Sequence, residues 1–227
     1  MTGVLVNVLT VLAGSIVGLL FHKGISKKYS DAAMKAIGLC TLYIGFSGAL
    51  DGNNVLVVIA SMVLGTLCGT MLRIDDGINN LGKKIEKKFK KKKGNIAEGF
   101  VTASLLFCVG SMTIMGSLNA GISGDNTLLY TKAFLDLFSS AMLASSLGIG
   151  VLFAALFVFV FQGGLVILAE YIGPFLTDTA ICEMNCVGSL LIIALGLNLL
   201  NVAKIKVADM LPAILFAVII TNLVAYF

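Results

Sequence analysis

Roughly 20 apolar residues in helical form span a bilayer's hydrocarbon core, and this chain supplies such runs almost end to end. Its 16 Lys and Arg residues concentrate in gaps between them. Within hydrocarbon a helix satisfies its own backbone hydrogen bonds, so the expected fold is all-α: a polytopic transmembrane helix bundle.

Composition narrows the function classes. Hydrophobic residues make up 58% and charged residues 12%, far from a soluble globular domain. The net charge of +4 belongs to loops, so no nucleic-acid partner is expected; the expected partners are the lipid bilayer and a small-molecule or ion substrate. Lys23 is the first charged side chain and follows the first apolar run, so that segment is expected to stay in the mature protein rather than act as a cleaved leader. Cys40, Cys68, Cys108, Cys182 and Cys186 lie in or beside apolar runs without paired spacing and form no disulfide framework. Cys182 and Cys186, one helical turn apart, read as core packing rather than as a redox pair.

Apolar runs predict helices over Gly3–Phe21, Ala32–Leu50, Val55–Leu72, Ala97–Leu118, Thr131–Leu147, Gly148–Ile172, Ala180–Leu200 and Val207–Phe227, giving eight spans. Thr131–Leu147 is short and carries Lys132 and Asp136; if it is re-entrant or broken, the count is seven. Basic residues mark the cytoplasmic side, and eight spans place Lys23–Lys28, Arg73–Lys93 and Lys204–Lys206 all inside. The reading is therefore a multi-pass plasma-membrane protein with a cytoplasmic Arg73–Lys93 loop and both termini outside. Over Leu72–Lys93, Ile74, Ile78, Leu81, Ile85 and Phe89 alternate with lysines, as in an amphipathic interfacial helix.

Gly14, Met34 and Gly38 recur as Gly164, Met184 and Gly188 at one constant offset. Val17/Ile167 and Ile37/Val187 match between them, and Gly45 and Gly196 follow nearly in register. On the topology above the two copies run in opposite directions, the building plan of many secondary transporters. This divides the single membrane domain 1–227 into a first repeat of three spans (1–72), a basic cytoplasmic helix or loop (73–96), a central polar pair (97–147) and a second repeat (148–227). Glycine faces at Gly14/Gly18 and Gly65/Gly69 suit tight helix contact, inside the bundle or in a homo-oligomer.

The central pair holds the densest polar sequence. Ser111, Thr113 and Asn119 precede Lys132, Asp136, Ser139 and Ser140. An ionised Asp in the bilayer faces a bundle interior or an aqueous cavity and marks function by default. Lys132 stands one turn before Asp136 on the same face, so mutual neutralisation that merely permits insertion is the competing reading. Gly110 and Gly116 suit either close packing or a broken helix. Lesser candidates are Gln162, Glu183, Asn185 and Ser189, with Asn198 and Asn201 closing the seventh span. Asp209 before Pro212 reads as a capped helix start. His22 is the only histidine, no metal-ligand spacing occurs, and no phosphate loop is present, so no enzyme activity, metal or cofactor is expected.

The run GSMTIMGSLNAGISGD at Gly110–Asp125, with Lys132, Asp136, Gly148-Ile149-Gly150-Val151, Gln162-Gly163 and Gly196–Leu200, resembles the YqgA-like bacterial membrane family, domain-of-unknown-function family 554. It departs at Ser111, where proline is expected. The resemblance covers essentially the whole chain and implies a membrane protein of a family described as candidate transport proteins without an established substrate. The residues and the resemblance together give an expectation of a transporter or channel for a small solute or ion, a cation or amine, along a polar path around Asp136. The alternative is a non-transporting scaffold or regulatory subunit acting through its lysine-rich helix.

Overall fold

The computed structural model describes residues 1–22, 27–78, 80, 96–108 and 111–225. In chain order these form α1 (Thr2–His22), α2 (Lys27–Ala49), α3 (Val55–Leu72), α4 (Ile96–Cys108), α5 (Ser111–Ile122), α6 (Thr127–Leu147), α7 (Gly150–Ile172), α8 (Asp178–Leu199) and α9 (Pro212–Val224). Single 3₁₀ turns lie at Gly173–Phe175 and Val207–Met210, and no strand occurs among the described residues. Five helices are long and apolar enough to cross a membrane, and a sixth span is reached if α4 and α5 count as one bent crossing. The lysine-rich helix expected over 72–93 lies largely outside the described residues; residues 74–78 form a helical turn after α3.

Of the two segments where a break was expected, the one around Gly110 and Gly116 is bent and Thr131–Leu147 is not. Instead of a short, interrupted Thr131–Leu147, α6 runs unbroken over Thr127–Leu147, about 31 Å at 1.5 Å per residue. It starts early because Asp125 caps it: Asp125 Oδ1 accepts from the Thr127 amide at 2.9 Å and its hydroxyl at 2.7 Å. These bonds, the hydroxyl's first, hold the Asp125 carboxyl below its usual range. The helix ends at Gly148, whose φ of 75° and ψ of −152° suit only glycine, and the tight turn leads straight into α7. The break instead divides the expected Ala97–Leu118 helix into α4 and α5, inclined at 60°.

Glycines set how the helices pair. Added β-carbons at Gly14 and Gly18 would overlap the Leu137 and Ala141 carbonyls, and Gly3 faces Leu129. Positions on α1 and α6 thus rise together, and the two helices run parallel in close contact. Gly38 faces Leu200, Gly45 faces Ile193 and Gly52 faces Cys186, so α2 and α8 run antiparallel. Gly65 and Gly69 sit against Ala213 and Asp209, which sets α3 antiparallel to the segment opening α9. Both glycine faces are therefore filled within the chain. The start of α4 packs on Gly150, while Gly121 of α5 meets Val166 and Ala169, so the bent pair follows α7 along its length.

Two large apolar cores result. One joins α8 to α3, α5 and α9 through Leu191, Leu195, Val187 and Ala213; the other joins α1, α4, α6 and α7 through Val11, Phe107, Leu143 and Val158. The outward faces remain apolar, as Leu5, Leu9, Ile16 and Leu20 of α1 show. This is the surface hydrocarbon requires.

Candidate functional site

Lys132 and Asp136 lie one turn apart on the buried face of α6. The Lys132 ammonium donates to both carboxylate oxygens, at 2.9 Å and 2.7 Å, and the two residues are only 6% and 5% exposed. Ionising either group alone in this setting would be costly, and the pair is the smallest neutral unit α6 can carry there. Its two residues lie about 8 Å and about 14 Å along the helix from Thr127, at 1.5 Å per residue, with Asp136 close to the middle of α6. The pair is thus nearer the 123–126 turn than the Gly148 turn.

Around the pair the bundle supplies polar groups from three other helices. Asn7 of α1 and Gln162 of α7 are fully buried, and the Asn7 amide donates to Gln162 Oε1 at 3.1 Å. Asn7 lies on α1 between Gly3, which faces Leu129, and Gly14, which faces Leu137, at the level of the pair, and Cys108, the last residue of α4, is buried in the core that α4 shares with α1, α6 and α7. The Thr113 hydroxyl of α5 donates to the Phe107 carbonyl at 3.1 Å, bridging the break between the half-helices. The carbonyl end of α4 carries partial negative charge.

Several polar atoms in this bundle are buried with no partner: Asn7 Oδ1, Gln162 Nε2, Ser15 Oγ, Ser104 Oγ, Thr102 Oγ1 and Ser117 Oγ. Each such atom costs about 1–3 kcal/mol if left dry. Elsewhere helix hydroxyls fold back onto their own helix: Ser61 onto Val57, Ser145 onto Met142, Thr221 onto Ala217. The unpartnered hydroxyls are thus a distinct set.

The other expected site residues divide. Ser140 is buried but donates to the Leu137 carbonyl and packs against Gly14. Ser139 does not extend the Asp136 stripe: three residues on, it falls about 60° to one side. There it is exposed beside the outward-facing Leu135 and Phe138 and donates to the Leu135 carbonyl. Asn119 is half-buried near the end of α5. The side chain of Ser111 lies outside the described residues. Ser189 is a contact residue between α8 and α2, facing Gly48.

Glu183 is 1% exposed and belongs to a separate place. Its Oε1 accepts from the Asn53 and Asn54 amides at 2.9 Å and 2.7 Å, anchoring the α2–α3 loop as the Asn54 side chain caps α3. Asn185 is half-buried on the same helix, with Oδ1 unpartnered. Asp209 does not cap its own helix: its Oδ1 accepts from the Asp75 amide at 2.8 Å, beyond the opposite end of α3. Asn198 closes its loop through paired bonds with the Ile205 backbone, 2.8 Å each.

The groups missed from sequence are Asn7, Ser117 and the α4 hydroxyls. Asn7 carried a signal, as the one amide in the first apolar run, on the stripe with Gly3, Gly14 and Gly18. Among the described residues no group of three or more His, Cys, Asp or Glu side chains is placed to hold a metal.

Comparison with known proteins places the chain. It is 35% identical to an uncharacterized membrane protein, YdfK, of Bacillus subtilis (strain 168), over 95% of this chain and 93% of that one. It is 29% identical to the uncharacterized protein YqgA of Escherichia coli (strain K12), over 95% and 94%. No solved structure matches. The family model for a protein of unknown function, DUF554, matches residues 2–222, and the chain belongs to that family.

Proposed function

We propose that this membrane protein is a transporter or channel for a small cation or amine, with a path passing the Lys132–Asp136 pair. The observation that carries the reading is the buried pair at the level of the buried Asn7 and Gln162, whose Oδ1 and Nε2 have no partner. A helix that needed only to insert would use apolar residues at these positions. A cation that competes with the Lys132 ammonium for Asp136 would meet acceptors at Asn7 Oδ1 and the hydroxyls. The displaced lysine would find the carbonyl end of α4. The bound cation then leaves the site with one net positive charge, which the partial negative charge at the carbonyl end of α4 offsets only in part, so the ion is held weakly enough to move on.

The helix directions support eight crossings. Eight alternating spans make the first and fifth parallel and set the second against the seventh and the third against the eighth, the relations found between α1 and α6, α2 and α8, and α3 and α9. With the positive-inside rule, Lys23–Lys28, Arg73–Lys93 and Lys204–Lys206 then face the cytoplasm and both termini lie outside. An inverted repeat is supported because each of the first three helices packs on its counterpart among the last three: α1 on α7, α2 on α8 and α3 on α9.

The test is flux of sodium, potassium, protons, ammonium and methylammonium into liposomes holding the purified protein. Wild type should conduct at least one of them, and Asp136→Asn should lose that flux at matched insertion. Lys132→Leu/Asp136→Leu, which removes both charges, should keep the fold and also lose flux. Flux unchanged in the double variant would overturn the reading.

A further inference from the structure

A cleft of about 490 Å³ opens beside the start of α4, bounded by the end of α8, the 200–208 loop and the turn after α3. Asp75 and Glu98 line it, as do Lys204 and Lys206. The Lys206 ammonium is held at 3.1 Å by Asp76. The Asn198 side chain is committed to the loop backbone. Thr102, fully buried and with its hydroxyl unpartnered, also lines the cleft.

The α4 lining consists of Ala97, Glu98, Val101 and Thr102. Ala97 and Val101 begin a stripe of one helix face that continues through Ser104 to Cys108. Ser104 is 5% exposed and its hydroxyl has no partner. From Val101 to Cys108 is about 10 Å along the axis, and Cys108 is buried in the core that α4 shares with α6, the helix that carries the pair.

We infer that this cleft is the inner mouth of the path, a water-filled entry for a small hydrated cation or amine, continued past Thr102 and Ser104 to the ion pair. The inference rests on the transport reading. It also accounts for the two α4 hydroxyls that decline their own helix carbonyls: each becomes a partner for water in transit.

The test uses the full chain with its five cysteines replaced, in membrane vesicles of either orientation, carrying Thr102→Cys or Ser104→Cys. A membrane-impermeant trimethylammonium methanethiosulfonate reacts with thiolate, which forms only where water reaches the sulfur. Thr102→Cys should label from the face that labels Lys204→Cys, within about tenfold of its rate, with Ser104→Cys slower and outward-facing Leu135→Cys unlabelled. The cationic reagent should outpace its sulfonate analogue at Thr102→Cys after correction for their rates on free thiol. Silence at both α4 positions while Lys204→Cys labels, or labelling only from the other face, overturns the inference, and a corrected ratio at or below one overturns its cation assignment. Hydroxyl-radical footprinting of the unmodified chain supplies a readout independent of the cysteine-free background: Val101–Leu105 should be modified well above Val151–Ala155, and equal modification counts against the entry. Labelling without flux in any liposome assay leaves the mouth standing and sinks the transport reading, while flux lost in Asp136→Asn with no α4 labelling does the reverse.

Discussion

Asp136 and Glu183 are both buried carboxylates on long helices, and they are held by unlike partners. Glu183 takes two backbone amides at the start of α3, and Asp209 takes a third beyond its other end. Together they fasten α3 through groups every residue possesses and no solute can displace. Asp136 is held by a side chain on its own helix, the Lys132 ammonium, whereas Glu183 keeps its second carboxylate oxygen, Oε2, buried and unpartnered. The contrast separates a carboxylate that builds the fold from one whose partner is exchangeable. On the proposed transport reading, the α1–α6–α7 region carries the path and the α2–α3–α8–α9 region is its frame.

The sharpest way to break this contrast is to remove one member of the pair. Lys132→Met or Asp136→Asn leaves a buried group uncompensated and should cost about 3–5 kcal/mol, read as a lowered midpoint of thermal unfolding in nanodiscs. Lys132→Leu/Asp136→Leu should recover most of that loss, since two apolar residues replace two desolvated charges. Single variants as stable as wild type would mean that the pair is already hydrated, and the contrast with Glu183 would collapse.

Next in size is Glu183→Ala, which strips two amides of a charged acceptor and should cost about 2–3 kcal/mol. Glu183→Gln keeps an acceptor oxygen and should recover more than half of that. Flux per inserted molecule should be unchanged in both, so loss of flux in Glu183→Gln would move Glu183 from frame to path. Asp209→Ala removes one such bond and should cost about 1.5 kcal/mol by the same unfolding measurement, again with flux intact.

What sequence shows and hides follows from the range of each interaction. The helices are legible because hydrocarbon tolerates little else, and their directions follow from counting crossings against loop charge. The Lys132–Asp136 pair is legible because a four-residue spacing fixes it within one helix. Asn7 and Gln162 meet across 155 positions, which no local pattern reports. The roles of Glu183 and Asp209 are hidden for a different reason: their partners are backbone amides, identical at every residue. Ser139 was misjudged because an exposed serine that bonds its own helix looks, in sequence, the same as one lining a path. The break in the fourth crossing and the continuity of α6 turn on capping: Asp125 starts α6 earlier than hydropathy alone indicates.

The smallest expected effect concerns the repeat itself. Gly14 and Gly164 are counterparts in sequence, yet Gly14 lies against the Leu137 backbone and the Ser140 hydroxyl while nothing lies within 4 Å of the space a β-carbon on Gly164 would fill. The surroundings of the two glycines therefore differ: α1 is bound tightly to α6, and α7 has room along this side. Glycine inside a helix costs about 0.5–1 kcal/mol relative to alanine, so Gly164→Ala should raise the unfolding midpoint slightly. If Gly164 faces only lipid, flux should stay the same. If transport requires the halves to exchange conformations, α7 must at some stage adopt the close packing that α1 shows here, and the added methyl would obstruct it. Gly164→Ala would then slow flux while stabilising the protein, an outcome that distinguishes an alternating carrier from a fixed channel.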